Sequence, residues 1–344
     1  MNLDQLNSAF TLFLSLLVEA FPFLLLGVLF SGLLLFFVDE RTLVRVLPKN
    51  PLLGAFVGSC AGFLFPVCEC GNVPVARRLL MQGAPAPVAI GFLLAAPTIN
   101  PIVFWATWTA FRDQPEIVFL RVGVSLVIAT IIGWVFSVQA DLRPLLQLTV
   151  ARRMPIRNST ENPRDRTQAE ESLLQSGTFW LGQSGQTRRV AATELQASMA
   201  AVTTVDKPVS YKLRLLLENT VQELRELGGV LVLGSAIAAT LQVFVPRDVI
   251  LNLGQGPVTS ILAMMLLAAI VSICSTVDSF FALSFASTFT SGAILAFLVF
   301  GPMIDLKGIG LLLSIFKTRA IVYLFALAAL MTLLVTLFMN LYIS

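Results

Sequence analysis

The sequence predicts an all-α, polytopic transmembrane helical protein with two homologous inverted-topology repeats containing broken or re-entrant helices. Three observations predict this class. Of 344 residues, 56% are hydrophobic and only 12% charged, with a mean hydropathy of +0.85, whereas soluble domains are roughly 45–50% apolar and about 25% charged. Apolar stretches long enough for a bilayer core, which needs about 20 residues per helix, recur between short charged connections. The later half of the chain also repeats the earlier half in an ordered set of matches.

The first apolar run, Phe10 to Val38, is long enough to cross with tilt. The segment before it lacks the basic start of a cleavable signal peptide, so the run reads as a span. A charged turn with Asp39, Glu40, Arg41, Arg45 and Lys49 follows. Pro51 to Val67 is apolar but short, and it runs into Cys68-Glu69-Cys70-Gly71-Asn72-Val73-Pro74. Charge, glycine and proline together predict a broken helix there, with Gly71 and Pro74 as breaking residues. Pro85 to Phe111 carries Pro97 and Pro101 around Asn100 and is expected to break at those prolines, where missing backbone donors need side-chain partners. Ile117 to Val138 completes the first half.

Residues 141–211 change to Arg, Gln, Ser, Thr and Glu without sustained apolar periodicity and read as a water-side linker. The expected organisation is a first membrane repeat over 1–140, the hydrophilic cytoplasmic linker over 141–211 and a second repeat over 212–344. Spans resume near Leu224–Val245, Pro257–Cys274, Ser279–Phe289, Gly292–Pro302 and Ala320–Tyr342, with Pro302 a further expected break.

The duplication is read from position. Glu19, Gly27, Phe37 and Val38 match Glu226, Gly234, Phe244 and Val245 at an offset of 207, and Cys68 and Asn72 match Cys274 and Asp278 at 206. Phe92, Leu93, Pro97, Ile99 and Asn100 match Phe297, Leu298, Pro302, Ile304 and Asp305 at 205. If the linker is cytoplasmic, tracing the spans places most Lys and Arg on the same side, Lys307 among them, and leaves only Arg112, Arg121 and Arg247 on the other, as the positive-inside rule asks. This holds whether each cysteine-bearing hairpin crosses, giving five spans per half, or re-enters, giving three. Both counts are odd, so the second copy is inverted and both termini face outward.

Polar groups at membrane depth are costly and mark function by default. Cys68, Cys70, Asn72, Asn100 and Cys274 are therefore the candidate substrate ligands, and Glu69, Asp278 and Asp305 the candidate ion-coupling groups. Asn72 and Asn100 have an equally good reading as caps for freed backbone. Cys68, Cys70 and Cys274 form a soft-ligand set for a metal or metalloid, since thiolates favour soft ions. Glu19 and Glu226 are expected to snorkel to the interface, and Arg77 and Arg78 to anchor there.

The chain holds no histidine, which excludes a His-Glu-x-x-His zinc protease, and it has no Gly-x-x-x-x-Gly-Lys-[Ser/Thr] nucleotide loop. An intramembrane aspartyl protease would need a facing acid pair, here Asp278 and Asp305, but the Gly-x-Gly-Asp context of that class is missing. No enzyme activity, cofactor or nucleic-acid partner is expected. The expected partners are the lipid bilayer, a small-molecule or metalloid substrate, protons as coupling ion, and a homo-oligomeric copy or accessory subunit.

At Cys68-Glu69-Cys70-Gly71-Asn72-Val73-Pro74-Val75-Ala76, continuing to Gly83 and to Ala96-Pro97-Thr98-Ile99-Asn100-Pro101, the chain resembles the ArsP-like predicted-permease family. The resemblance covers both membrane halves and not the linker. It implies a permease of the cell membrane, and the characterised branch implies export of trivalent organoarsenicals.

Overall fold

The computed structural model describes residues 3–37, 47–48, 50–65, 68–137, 143–147, 150, 178–181, 187–190, 209–244, 256–286 and 288–342. The charged turn at 38–46, Arg247 and most of the hydrophilic segment lie outside the described residues. Contacts divide the chain into a unit of 1–154 with 216–344 and a second unit of 155–215. The second unit contains an antiparallel hairpin of β1 (Thr178–Leu181) and β2 (Thr187–Val190), which the composition of this segment did not suggest.

In the first unit, α1 (Leu3–Phe37) is an uninterrupted apolar helix. α2 (Pro51–Ala61) starts where Asn50 accepts a hydrogen bond from Leu52 N, with proline in the first turn, and it tightens into a 3-10 turn at Gly62–Leu64. α3 (Glu69–Met81) follows a break, and α4 (Ala86–Ile99) and α5 (Pro101–Ala110) are separated only by Asn100. α6 (Pro115–Ser137) closes the first half. The second half runs α7 (Val209–Phe244), α8 (Pro257–Val271), α9 (Asp278–Leu283), α10 (Ser291–Met303), α11 (Leu306–Leu312) and α12 (Thr318–Tyr342). Among the described residues, six helices in the first half thus meet six in the same order, each short or broken helix matching a short or broken counterpart.

Among the described residues, six helical stretches are long and apolar enough to cross a membrane: those in α1, α4–α5, α6, α7, α10–α11 and α12. α2 and α3, at 11 and 13 residues, reach roughly 16 and 20 Å at 1.5 Å per residue, short of a core about 30 Å thick. Their direction shows how they fit. Gly54 of α2 lies by Val88 and Gly62 by Ala96, so α2 runs parallel to α4. Asn72 of α3 reaches Leu93, and the chain turns at Gln82–Pro85 directly into α4, so α3 runs antiparallel to it. α2 and α3 therefore form a short antiparallel hairpin whose described ends, Phe65 and Cys68, lie towards the C-terminal half of α4. α8 and α9 repeat the arrangement, with Gly301 of α10 against Ala268 and Phe281 stacked on Phe297 at 5.7 Å. Neither hairpin arm is long enough to count among the candidate spans, which number three in each half among the described residues.

The broken spans are the central ones. The α4–α5 and α10–α11 stretches are each 78% buried, against 28% for α1 and α12. α4 packs on α10, and the halves exchange partners: α3 packs on α11, and α9 on α5. Between α2 and α4 the approach is backbone to backbone. A Cβ on Gly58 would fall on the Val88 carbonyl, and one on Gly62 would sit 2.6 Å from Ala96 Cα. Small residues four apart permit this close approach where burial of apolar area gives little drive inside lipid.

The breaks lie elsewhere than the prolines suggest. Pro74, Pro97 and Pro302 are inside α3, α4 and α10, and only Pro101 marks a boundary, as the first residue of α5. The described residues are instead interrupted at Phe65 and Cys68, at Asn100, at Ser272 and at Ile304–Asp305. Ser272 takes left-handed backbone angles, φ 48° and ψ 39°, a conformation most side chains avoid. Each internal proline leaves the carbonyl four residues earlier without its helical donor, and neighbouring groups can meet that loss. Gly71 is no hinge either: a Cβ on Gly27 of α1 would land on the Gly71 carbonyl, so the two glycines let α1 and α3 touch through their backbones.

Candidate functional site

The N-terminus of α3 is the hairpin tip, with Cys68 as its cap residue and Glu69 and Cys70 in its first turn. A carboxylate in the first turn is favoured by the free N–H groups there. α11 brings Lys307 to this point. Its Nζ lies 2.9 Å from Glu69 Oε1 and 4.0 Å from Asp305 Oδ2, and all three side chains are buried. Cys68 and Cys70 both lie within electrostatic range of the ammonium, and the ligating atoms of Cys68, Glu69 and Cys70 all come within 4.8 Å of one another. This is the one group of potential metal ligands among the described residues. Glu69 Oε2 and Asp305 Oδ2 are buried without a hydrogen-bond partner.

A second ionic cluster stands where α9 meets α5 and α6. Arg121 Nη2 donates to Asp278 Oδ2 at 2.7 Å and to the Ser275 carbonyl at 3.3 Å, while Nη1 donates to Thr107 Oγ1 and Ser279 Oγ, both at 2.8 Å. Arg121 is 1% exposed and Asp278 2%. The clusters are electrostatic neighbours, since Glu69 acts on both Asp278 and Cys274.

The remaining predicted residues have definite places. Asn72 Nδ2 donates to the Leu93 carbonyl at 2.6 Å, which is the acceptor that Pro97, four residues on, leaves without a helical donor. Asn100 caps α5, accepting from Val103 N at 2.8 Å and donating to the Ala96 carbonyl at 3.3 Å. Asp305 caps α11 in the same way, accepting from Gly308 N at 2.7 Å. Cys274 contacts Thr276 Oγ1 at 2.8 Å and lies within hydrogen-bonding reach of Glu19. It shares Glu69 as a neighbour with the other two thiols but is not in their 4.8 Å set. Asp278 and Asp305 each face a cation, Arg121 at 2.7 Å and Lys307 at 4.0 Å.

Two expectations are corrected. Arg77 is 6% exposed and its Nη1 lies 3.2 Å from Glu226 Oε2, so it is an inter-half partner and not an interfacial anchor. Glu19 sits midway along the Leu6–Leu34 stretch, because α1 begins earlier than its apolar run suggests, and it faces Cys274 where snorkelling was expected. Arg121 and Lys307 were missed as site residues because each was counted only as a topological charge. Their signal was present: Arg121 is the lone basic residue of its span, and Asp305 and Lys307 are the only charges between Asp278 and Lys317. A cavity of about 260 Å³ opens away from the thiols, at the N-terminal ends of α6 and α10, beside Asp113, Glu116, Ser291 and Gly292.

Paired short hairpins, broken central spans and buried ionic groups at their meeting points define a multi-pass membrane permease. The chain belongs to the ArsP-type predicted permease family, whose model matches residues 5–341. It is 37% identical to the UPF0718 protein YcgR of Bacillus subtilis (strain 168), over 92% of this chain and 90% of that one. It is 32% identical to a protein of Streptococcus mutans serotype c named as a putative two-component membrane permease complex subunit, over 90% of this chain and 87% of that one. No solved structure matches it.

Proposed function

We infer that the chain exports a soft, thiol-seeking solute, a trivalent organoarsenical being the example its family implies, by ion-coupled alternating access. The observation that carries the reading is the buried Cys68, Glu69 and Cys70 set within 4.8 Å at a hairpin tip. Two thiols on one helical turn suit a soft acceptor, and the buried N-terminus of α3 adds the favourable end of the helix dipole. Glu69, Asp278 and Asp305 are the groups we assign to ion coupling, with protons as the coupling ion. Asn72, Asn100 and Cys274 complete the path.

Three candidate spans per half is an odd number, so the second half runs opposite to the first, and the exchanged contacts of α3 with α11 and α9 with α5 fit a pseudo-two-fold axis in the membrane plane. The chain would sit in the cell inner (plasma) membrane with the 141–211 segment cytoplasmic, both termini outside, and membrane repeats over 1–140 and 212–344. The printed name of the Streptococcus mutans relative supports an accessory subunit.

A soft metal ion is the second reading, favoured by the carboxylate of Glu69 lying between the two thiols. Everted vesicles separate the two. Gradient-dependent accumulation of trivalent methylarsenite, lost in Cys68→Ser, supports the first; accumulation of zinc or copper, lost in the same variant, supports the second. Accumulation of neither, or none that Cys68→Ser changes, discards the soft-ligand reading.

A further inference from the structure

We propose that Lys307 is a tethered cation which holds Glu69 while the thiol site is empty and moves to Asp305 when Glu69 turns to ligate a soft metal cation bound by Cys68 and Cys70. The inference rests on the reading of Cys68 and Cys70 as thiol ligands and adds a third ligand, a substrate charge class and a residue governing affinity. Four observations carry it. Lys307 Nζ is 2.9 Å from Glu69 and 4.0 Å from Asp305, so a second carboxylate waits about one ångström beyond contact distance. Both carboxylates keep a buried oxygen that makes no hydrogen bond, Glu69 Oε2 and Asp305 Oδ2. Asp305 fixes the N-terminus of α11 through its other oxygen, Oδ1, so Oδ2 can receive the ammonium without uncapping the helix. Lys307 stands at the start of that helix, where the free N–H groups disfavour a cation, so two carboxylates are needed to hold it.

The donor geometry fits a metal after a small closure. Ligand atoms 2.3 Å from a tetrahedral centre stand about 3.8 Å apart, against the 4.8 Å envelope here. The balance for a divalent ion is simple. Two S–H bonds break, two metal–sulfur bonds and one metal–oxygen bond form, and two protons leave for water. The Glu69–Lys307 ion pair is replaced by an Asp305–Lys307 pair, and because the two departing protons offset the charge of the ion, the net charge of the site is unchanged. Lys307 thereby keeps the empty site neutralised and sets how much the arriving cation must displace.

The test uses the full-length protein in detergent with Cd(II) alone as probe, read by thiolate-to-cadmium charge-transfer absorption. Lys307→Met frees Glu69 and is expected to tighten Cd(II) about tenfold, while Asp305→Asn, which retains a capping oxygen, removes the second berth and is expected to weaken it about fivefold. In the double variant the Asp305→Asn loss disappears, because nothing remains to be moved. A loss of helix packing would not give opposite signs at two neighbouring positions. Equal affinities in wild type, Lys307→Met and Asp305→Asn would overturn the exchange and leave the thiol site standing. Absence of the cadmium band in all of them would overturn both. If Lys307→Met fails to fold, Asp305→Asn still decides: a Cd(II) affinity equal to that of the wild type, with the cadmium band present, overturns the exchange.

Discussion

The two ionic clusters, one around Arg121 and one around Lys307, are built on opposite principles. Around Arg121 both terminal nitrogens are paired, with Asp278, Ser275, Thr107 and Ser279 at 2.7–3.3 Å, and Nε alone has no hydrogen-bond partner. Around Lys307 the partners are incomplete, with one carboxylate at 2.9 Å, another at 4.0 Å and thiols between. A guanidinium in a rigid fork of donors suits a fixed joint, whereas an ammonium on a flexible stem suits a partner that changes. The Arg121 cluster joins the halves, α6 and α5 of one to α9 of the other. The Lys307 cluster joins them equally, through α3 and α11, but leaves room for a third party.

The largest effect is expected at the closed cluster. Arg121→Met strands Asp278 in a buried site and is expected to cost about 3–5 kcal/mol, read as loss of the monodisperse detergent-solubilised protein and a steep fall in thermal midpoint. Adding Asp278→Asn, which removes the orphaned charge, is expected to return most of that stability. If the single variant melts like wild type, the cluster is not a joint.

Glu69→Gln tests the open cluster and is expected to be milder, about 2 kcal/mol, because Lys307 retains Asp305 as an alternative partner. The contrast is the informative quantity. A larger loss for Glu69→Gln than for Arg121→Met would invert the assignment of rigid and adaptable roles.

Asn72 and Asp278 occupy equivalent positions, and the difference between them shows what sequence reading reached. The membrane class, the repeated order and the polar residues at each break were legible, because charge and proline are conspicuous in apolar helices. Their roles were not. Asn72 is an amide because Pro97 frees the Leu93 carbonyl and a donor is wanted. Asp278 is an acid because Arg121, 157 positions away, comes to meet it. Breaks were assigned to prolines by local chemistry, but a proline inside a packed helix persists where a neighbour supplies the missing hydrogen bond. That neighbour belongs to tertiary structure, as does the 3.2 Å approach of Arg77 to Glu226. Asn72→Leu is accordingly expected to cost about 1–2 kcal/mol, and appreciably less in a Pro97→Ala background, where the Leu93 carbonyl regains a helical donor. Equal losses in both backgrounds, measured by chemical unfolding in detergent, would break the link between the two residues.

The smallest effect separates Asn100 from Asp305, which cap α5 and α11 at the same point of each half. Only Asp305 also faces a cation, so the two positions share a structural duty and differ in a second one. Asn100→Ala removes the acceptor for Val103 N and is expected to cost about 1 kcal/mol, with Asn100→Ser recovering most of it through its hydroxyl oxygen. Asp305→Asn keeps the acceptor for Gly308 N and is expected to leave the thermal midpoint closer to wild type than Asn100→Ala does. A reversed order in the melts would mean that Asp305 carries more of the fold than its cap explains, and that the open cluster is held more firmly than its 4.0 Å contact implies.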